Sequence, residues 1–326
     1  MKIKHIMIFL CGLMAVAGTA CKNGDNPSEP ADQTVKRRHL VIKVQSDEGQ
    51  GAKVSPRRMP NATIEDLGQT LYAEWNENDP VSYCNLSRTY GSPEVILDGT
   101  MTAKYAGHRT DFEGDVICTS NDYLAIVYPA TDLKTLSFFD NTSYTYGDGI
   151  HCKYRISLAG QDGTLEKLAT QYHYVYGRAH VLSTVSDTYA EATMDKMKSL
   201  LTVCKFSFVD KDHESAGPLP IETLSIRYGG NGSDANKYPQ SALVEAVSIT
   251  EHADVHAVKE EATAPLVVTC ASALNEVYVV LLPEIASRTY QFTVTNDNGT
   301  YTGTAEAWLK EGEYVPATGL KLTKQN

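Results

Sequence analysis

Apolar and polar side chains alternate along much of this chain. Leu40, Ile42 and Val44 fall on one face and Val41, Lys43 and Gln45 on the other, the period of two that marks a half-buried strand over Leu40–Gln45. Pro56-Arg57-Arg58-Met59-Pro60 comes next, and two prolines around two arginines predict an extended, exposed segment. Short apolar or alternating runs predict further strands at Glu94–Leu97, Asp115–Cys118, Asp122–Tyr128, Cys152–Leu158, Cys204–Val209, Ile221–Arg227, Ala242–Ile249, Leu266–Ser272 and Val277–Leu282. Pro129 stops the third of these. Tyr290–Ala307 reads as a hairpin, with Asn298-Gly299 near its tip supplying the positive φ that a tight turn needs. Tyr314–Lys324 reads as a last strand or strand pair, with Leu320 and Leu322 on one face.

Helical periodicity is scarce. Gly163–Gln171 looks helical but short. Tyr189–Leu201 is the better candidate: Thr188 and Glu191 have capping-box spacing, and Ala190, Met194, Met197 and Leu201 recur at steps of four, three and four. Many short strands with turn signals and little helix predict an all-β chain of two tandem β-sandwich domains with a few short helices. The expected divisions are a signal at 1–20, a flexible tether at 21–38, an N-terminal sandwich at 39–185 and a C-terminal sandwich at 186–326.

Composition agrees with this picture. Tyr (19) outnumbers Phe (7), as suits pleated, half-buried surfaces. With 40 acids against 29 bases over 326 residues, the chain is a poor match for nucleic acid, which binds through Lys and Arg.

The start of the chain reads as an address. Lys2 and Lys4 precede an apolar run from Ile6 to Ala17, too short to span a bilayer comfortably, and small residues lead to Cys21. This is similar to a bacterial lipoprotein signal, in which cleavage before the cysteine exposes it for acylation; Gly18 stands where such signals usually carry Leu. Lys22–Thr34 holds no apolar side chain larger than Ala or Pro and suits a tether. The cysteines of the mature chain beyond Cys21 read as buried small hydrophobes.

Candidate chemistry is thin. His252 and His256 are four apart, but no third ligand accompanies them, so no metal site is assigned. No nucleophile elbow, phosphate loop or metalloprotease motif occurs, Gly229-Gly230-Asn231-Gly232 precedes no helix, and no cofactor is expected. The sequence assigns no catalytic residue, and the chain reads as a non-enzyme.

The order of motifs carries a resemblance. Trp75-Asn76-Glu77-Asn78-Asp79-Pro80-Val81, Phe112-Glu113-Gly114, Tyr123–Pro129, Gly163–Leu168 followed by Tyr172–Tyr176, Phe206-Ser207-Phe208, Val277–Pro283 and Gly312-Glu313-Tyr314 follow the lipoprotein signal in sequence. In that order they resemble the fimbrillin family, lipoprotein-derived pilus subunits of Gram-negative gut and oral anaerobes. The resemblance implies two transthyretin-like β-sandwiches, export to the outer membrane and exposure on the surface as part of a fimbrium. It also implies that an arginine-specific protease removes the leader and first strand, and that a strand of the next subunit fills the groove. On this chain the lipid would sit on Cys21 and the cut would follow Arg58, with Arg38 as the alternative. The displaced strand would carry Leu40, Ile42 and Val44, and the donor strand Leu320 and Leu322. The competing expectation is a non-polymerising outer-membrane surface lipoprotein that binds glycan or another host ligand.

Overall fold

The computed structural model describes residues 36–44, 65–66, 71–72, 74–87, 98–107, 109–130, 151–247, 253–257 and 264–325. Its strands are β1 (Lys36–Val44), β2 (Glu65–Asp66), β3 (Leu71–Tyr72), β4 (Pro80–Asn85), β5 (Asp98–Ala103), β6 (Phe112–Cys118), β7 (Tyr123–Tyr128), β8 (His151–Ser157), β9 (Val175–Thr184) and β10 (Tyr189–Met194). They continue as β11 (Lys198–Ser199), β12 (Thr202–Asp210), β13 (Ile221–Tyr228), β14 (Ser241–Val247), β15 (Ala253–Ala257), β16 (Leu266–Leu274), β17 (Val277–Leu281), β18 (Arg288–Asn296), β19 (Gly299–Ala307) and β20 (Tyr314–Lys324). The chain is all-β, as its alternation predicts; the helical turn Leu165–Lys167, capped by the Thr164 hydroxyl, is a short exception. The expected strand Glu94–Leu97 lies outside the described residues.

The first sheet closes on itself. Its order is β10-β1-β6-β5-β4-β7-β9, and β9 pairs back onto β10, so seven strands form a ring, with β11 continuing along β9. Closure removes the terminal strands that an open sheet would expose. The wall is thinnest between β5 and β6, which pair through only Thr102–Glu113 and Ala103–Phe112. Beyond that point β4 side chains reach across: the Tyr83 hydroxyl donates to Asp115 O (3.1 Å) and Asn85 Nδ2 to Ile117 O (3.1 Å). The ring encloses Leu40, Ile42, Phe112, Leu124, Ile126 and Val181. Trp75 packs edge-on against Phe112 and Tyr128. β7 is buried on both faces: Leu124 and Ile126 point into the ring, while Ala125 and Val127 join a second core. That explains why its sequence is a continuous apolar run rather than an alternation.

Tyr189–Leu201 is not a helix. It forms β10 and β11, and Ala190, Ala192 and Met194 are buried at a period of two. β10 pairs parallel with β1 and antiparallel with β9, and ladders on both edges override a local helical preference. The capping box does not form. The Thr188 hydroxyl lies 3.2 Å from Ser186 Oγ, and the Glu191 carboxylate accepts from Lys43 Nζ at 3.3 Å. The first sheet therefore runs to Ser199, beyond the expected division at residue 185.

The second sheet is ordered β16-β13-β18-β19-β20-β12-β17. The expected hairpin is β18–β19, paired from Arg288–Ala307 to Asn296–Gly299. The outermost strands, β16 and β17, are bridged by the segment from Leu158 to Thr164. Gln161 O accepts from Thr269 N on β16 (3.3 Å), and Gly163 O accepts from Tyr278 N on β17 (2.9 Å). Gly163 has φ +80°, and a Cβ there would lie 2.8 Å from Val277 Cγ1, so glycine is required. A third sheet, β15-β14-β8, joins β8, expected in the first sandwich, to two strands from the second half of the chain. Its Tyr154, Ile156, Ala242 and Val244 bury against the second core.

Candidate strand-exchange site

β1 is a stave of the ring, not an edge. It runs parallel to β10 over His39–Val44 and antiparallel to β6 over Lys36–Ile42. Leu40 has a small residue on each side and Ile42 has one, which makes room for them. Leu40 lies between Ala190 and Gly114, and Ile42 between Ala192 and Phe112. Leu40 and Ile42 are both 0% exposed, and Val44 packs half-buried against the same core. Burying each of the two is worth roughly 1.5–3 kcal/mol, and that is what a vacated slot would forfeit.

β1 carries basic side chains at its start, Lys36, and on its outward face, His39 and Lys43, and neighbouring residues answer each with a carboxylate. Lys36 Nζ lies 2.9 Å from Asp187 Oδ2, His39 Nδ1 3.6 Å from Asp115 Oδ1, and Lys43 Nζ 3.3 Å from Glu191 Oε1. Arg38 is different. Its side chain is 1% exposed, and its guanidinium donates to Ser186 O (3.2 Å) and to Cys118 O. Sequence reasoning missed this, because a basic pair beside a tether looks solvated. β1 begins at Lys36, so the last three residues of the expected tether belong to the strand. Cys21 and Arg58 lie outside the described residues, as does His252; His256 lies in β15.

The C-terminal strand completes its own sheet here. β20 runs parallel to β12 and pairs antiparallel with β19 through Tyr301–Lys324 and Thr302–Thr323. Leu322 is 1% exposed, and Leu320 packs half-buried against the second core. A bulge separates the Phe206–Ala317 and Phe208–Leu320 pairs. It is made possible by Gly319 at φ +69°, whose N–H donates to Ser207 Oγ (2.9 Å). Lys321 Nζ lies 2.6 Å from Glu214 Oε1. Cys84, Cys118, Cys204 and Cys270 are buried, and burial pushes the Cys204 thiol well above its ordinary value, which disfavours the thiolate.

No family model matches this chain, and no curated protein matches it. Among solved structures it is similar to a candidate cell adhesion protein from Bacteroides uniformis, with 10% identity and a TM-score of 0.38 over 72% of this chain and 92% of that one. It is also similar to a second such protein from Bacteroides eggerthii, with 12% identity and a TM-score of 0.36 over 87% and 86%. A further similar structure is the shaft pilin SpaA from Lactobacillus rhamnosus GG, with 10% identity and a TM-score of 0.31 over 89% and 99%.

Proposed function

We propose that this chain is a structural subunit of a cell-surface pilus, whether shaft, tip or accessory. In this reading it is exported to the outer membrane as a lipoprotein on Cys21. An arginine-specific protease cuts after Arg58, β1 leaves, and β20 of another subunit takes its place. The observation that supports this most is the position of β1 in a closed ring. A ring offers an incoming backbone no terminal strand to extend, so pairing between subunits at this sheet requires a stave to depart. β1 is the first described strand, and Arg57-Arg58 follows it in the sequence. Arg38 is the weaker cleavage site, because its buried side chain and paired backbone keep it from a protease until β1 unfolds.

N-terminal sequencing of the form on the cell surface tests the reading. A mature start at Met59 supports it. Cys21 retained on all surface material overturns polymerisation in favour of the second reading, a non-polymerising surface lipoprotein that binds host glycan. One observation favours that second reading. Trp308 is 53% exposed, yet its ring is fixed by a hydrogen bond from Nε1 to Glu284 O (2.8 Å), as a stacking platform would be.

A further inference from the structure

The ring wall has a hollow where β5 and β6 stop pairing. Beyond Thr102–Glu113 the ladder ends, and the Tyr83 hydroxyl, donating to Asp115 O, closes the gap from inside. On the outer side a hollow of about 580 Å³ remains. Arg37 and His39 of β1 line one side and Thr100 and Thr102 of β5 the other, with Glu113 and Asp115 of β6 between them. Three of these groups have hydrogen-bonding capacity to spare. Among the described residues the Arg37 guanidinium and the Thr100 hydroxyl have no partner, and the Asp115 carboxylate has only His39 Nδ1 at 3.6 Å.

The lining narrows what could fill the hollow. Its charges balance: Arg37 offsets Asp115, and Glu113 is held by Lys104 Nζ at 3.1 Å. Neither an anion nor a cation is favoured there. Tyr83 brings an apolar ring, but it is 2% exposed, so an apolar ligand would bury little against it. A peptide strand does not fit the seam either. A Cβ on Gly114 would lie 3.1 Å from Met101 Cα, so β5 and β6 are already in contact there.

We propose that this hollow binds a neutral saccharide. A pyranose carries neighbouring hydroxyls, each a donor and an acceptor at once. Such hydroxyls donate to Asp115, accept from Arg37 and do either with Thr100. The volume falls in the range of small-molecule sites. The inference goes beyond the pilus reading and does not depend on it, and the site is separate from Trp308. Because β1 supplies Arg37, a bound sugar joins β1 to β5 across β6 and favours the form in which β1 is seated. Under strand exchange the site would be lost when β1 departs.

The test uses the full, uncleaved chain and the methyl glycosides of glucose, galactose and mannose, followed by ligand-observed NMR. At least one should bind, and Arg37→Met and Asp115→Ala should each weaken it about tenfold, the loss of a charged hydrogen bond. Trp308→Ala should bind as the unaltered chain does. At about ten times the dissociation constant, the sugar should slow amide exchange across β1 about tenfold. That arm uses the unaltered chain, so it stands even where a variant fails to fold. Binding of none of the three glycosides would overturn the proposal. So would binding that survives both hollow variants but is lost in Trp308→Ala, which would put the sugar on the tryptophan. A preference for glucuronate or glucosamine would overturn the neutral class, and binding that leaves β1 exchange unchanged would remove the site from β1.

Discussion

The side-chain amide of Gln161 makes both hydrogen bonds that a neighbouring strand would make with Val280. Its Oε1 accepts from Val280 N at 2.8 Å, and its Nε2 donates to Val280 O at 3.1 Å. Gln161 is 4% exposed, so these groups have no ready access to water. Gln161→Leu should leave a buried donor and acceptor unmet and cost roughly 2–4 kcal/mol. Urea unfolding would read this as a lower midpoint at unchanged slope. A loss under about 0.5 kcal/mol would mean that the seam between β16 and β17 is held instead by the backbone carbonyls of Gln161 and Gly163, which accept from Thr269 N and Tyr278 N.

Gly303 governs how closely β20 sits. A Cβ there would fall 2.7 Å from Leu322 Cδ2 and 2.8 Å from Lys321 O. Gly303→Ala should push β20 outward, destabilise the chain by about 1–3 kcal/mol and speed amide exchange over Leu320–Lys324. Unchanged exchange in that strand would contradict the close-approach argument.

Leu320 is the better probe of the donor role, because it is half-buried at home whereas Leu322 is enclosed. Leu320→Asp should leave the monomer folded by circular dichroism yet abolish the ladders that cleaved protein forms on unboiled gels. Equal ladders from both chains would remove β20 from the donor role.

Replacing Cys21 with Ala should move the exported protein from membranes to the soluble fraction and end incorporation of labelled palmitate. Continued labelling would place the lipid elsewhere.

Three tyrosines report on the second core. Burial pushes the Tyr228, Tyr238 and Tyr290 hydroxyls well above the ordinary tyrosine value, and Glu284, accepting from Tyr228 at 2.6 Å, raises that residue further. A folded-state value above the unfolded one gives stability that is complete below about pH 10 and declines as pH climbs past it. Alkaline titration followed by tyrosinate absorbance should show these groups ionising together with unfolding. Smooth ionisation of every tyrosine in the folded chain would contradict their burial.

Much of the fold is legible in local pattern. Alternation locates β1, β8, β13 and the β18–β19 hairpin, because a pleated strand with one buried face writes a period of two into its sequence. Trp75, Phe112 and Tyr128, which come from three separated motifs, meet in one cluster inside the ring. β10 shows where local reading fails. Ala190, Met194, Met197 and Leu201 suit a helical stripe, but Ala190, Ala192 and Met194 also suit a strand, and only pairing partners decide between the two.

The sequence by itself therefore determined an all-β chain, the apolar face of β1 and the shared face of Leu320 and Leu322, since each depends on residues within a few positions of one another. The tertiary structure alone decided that the first sheet closes, that Arg38 is buried, and that Lys36, His39 and Lys43 face carboxylates. Those facts rest on contacts such as Lys43 with Glu191 and Arg38 with Ser186, each 148 residues apart. A periodicity of two or of 3.6 carries no information over such a distance, because long-range pairing is settled by which edges and faces remain to be buried once the local elements exist.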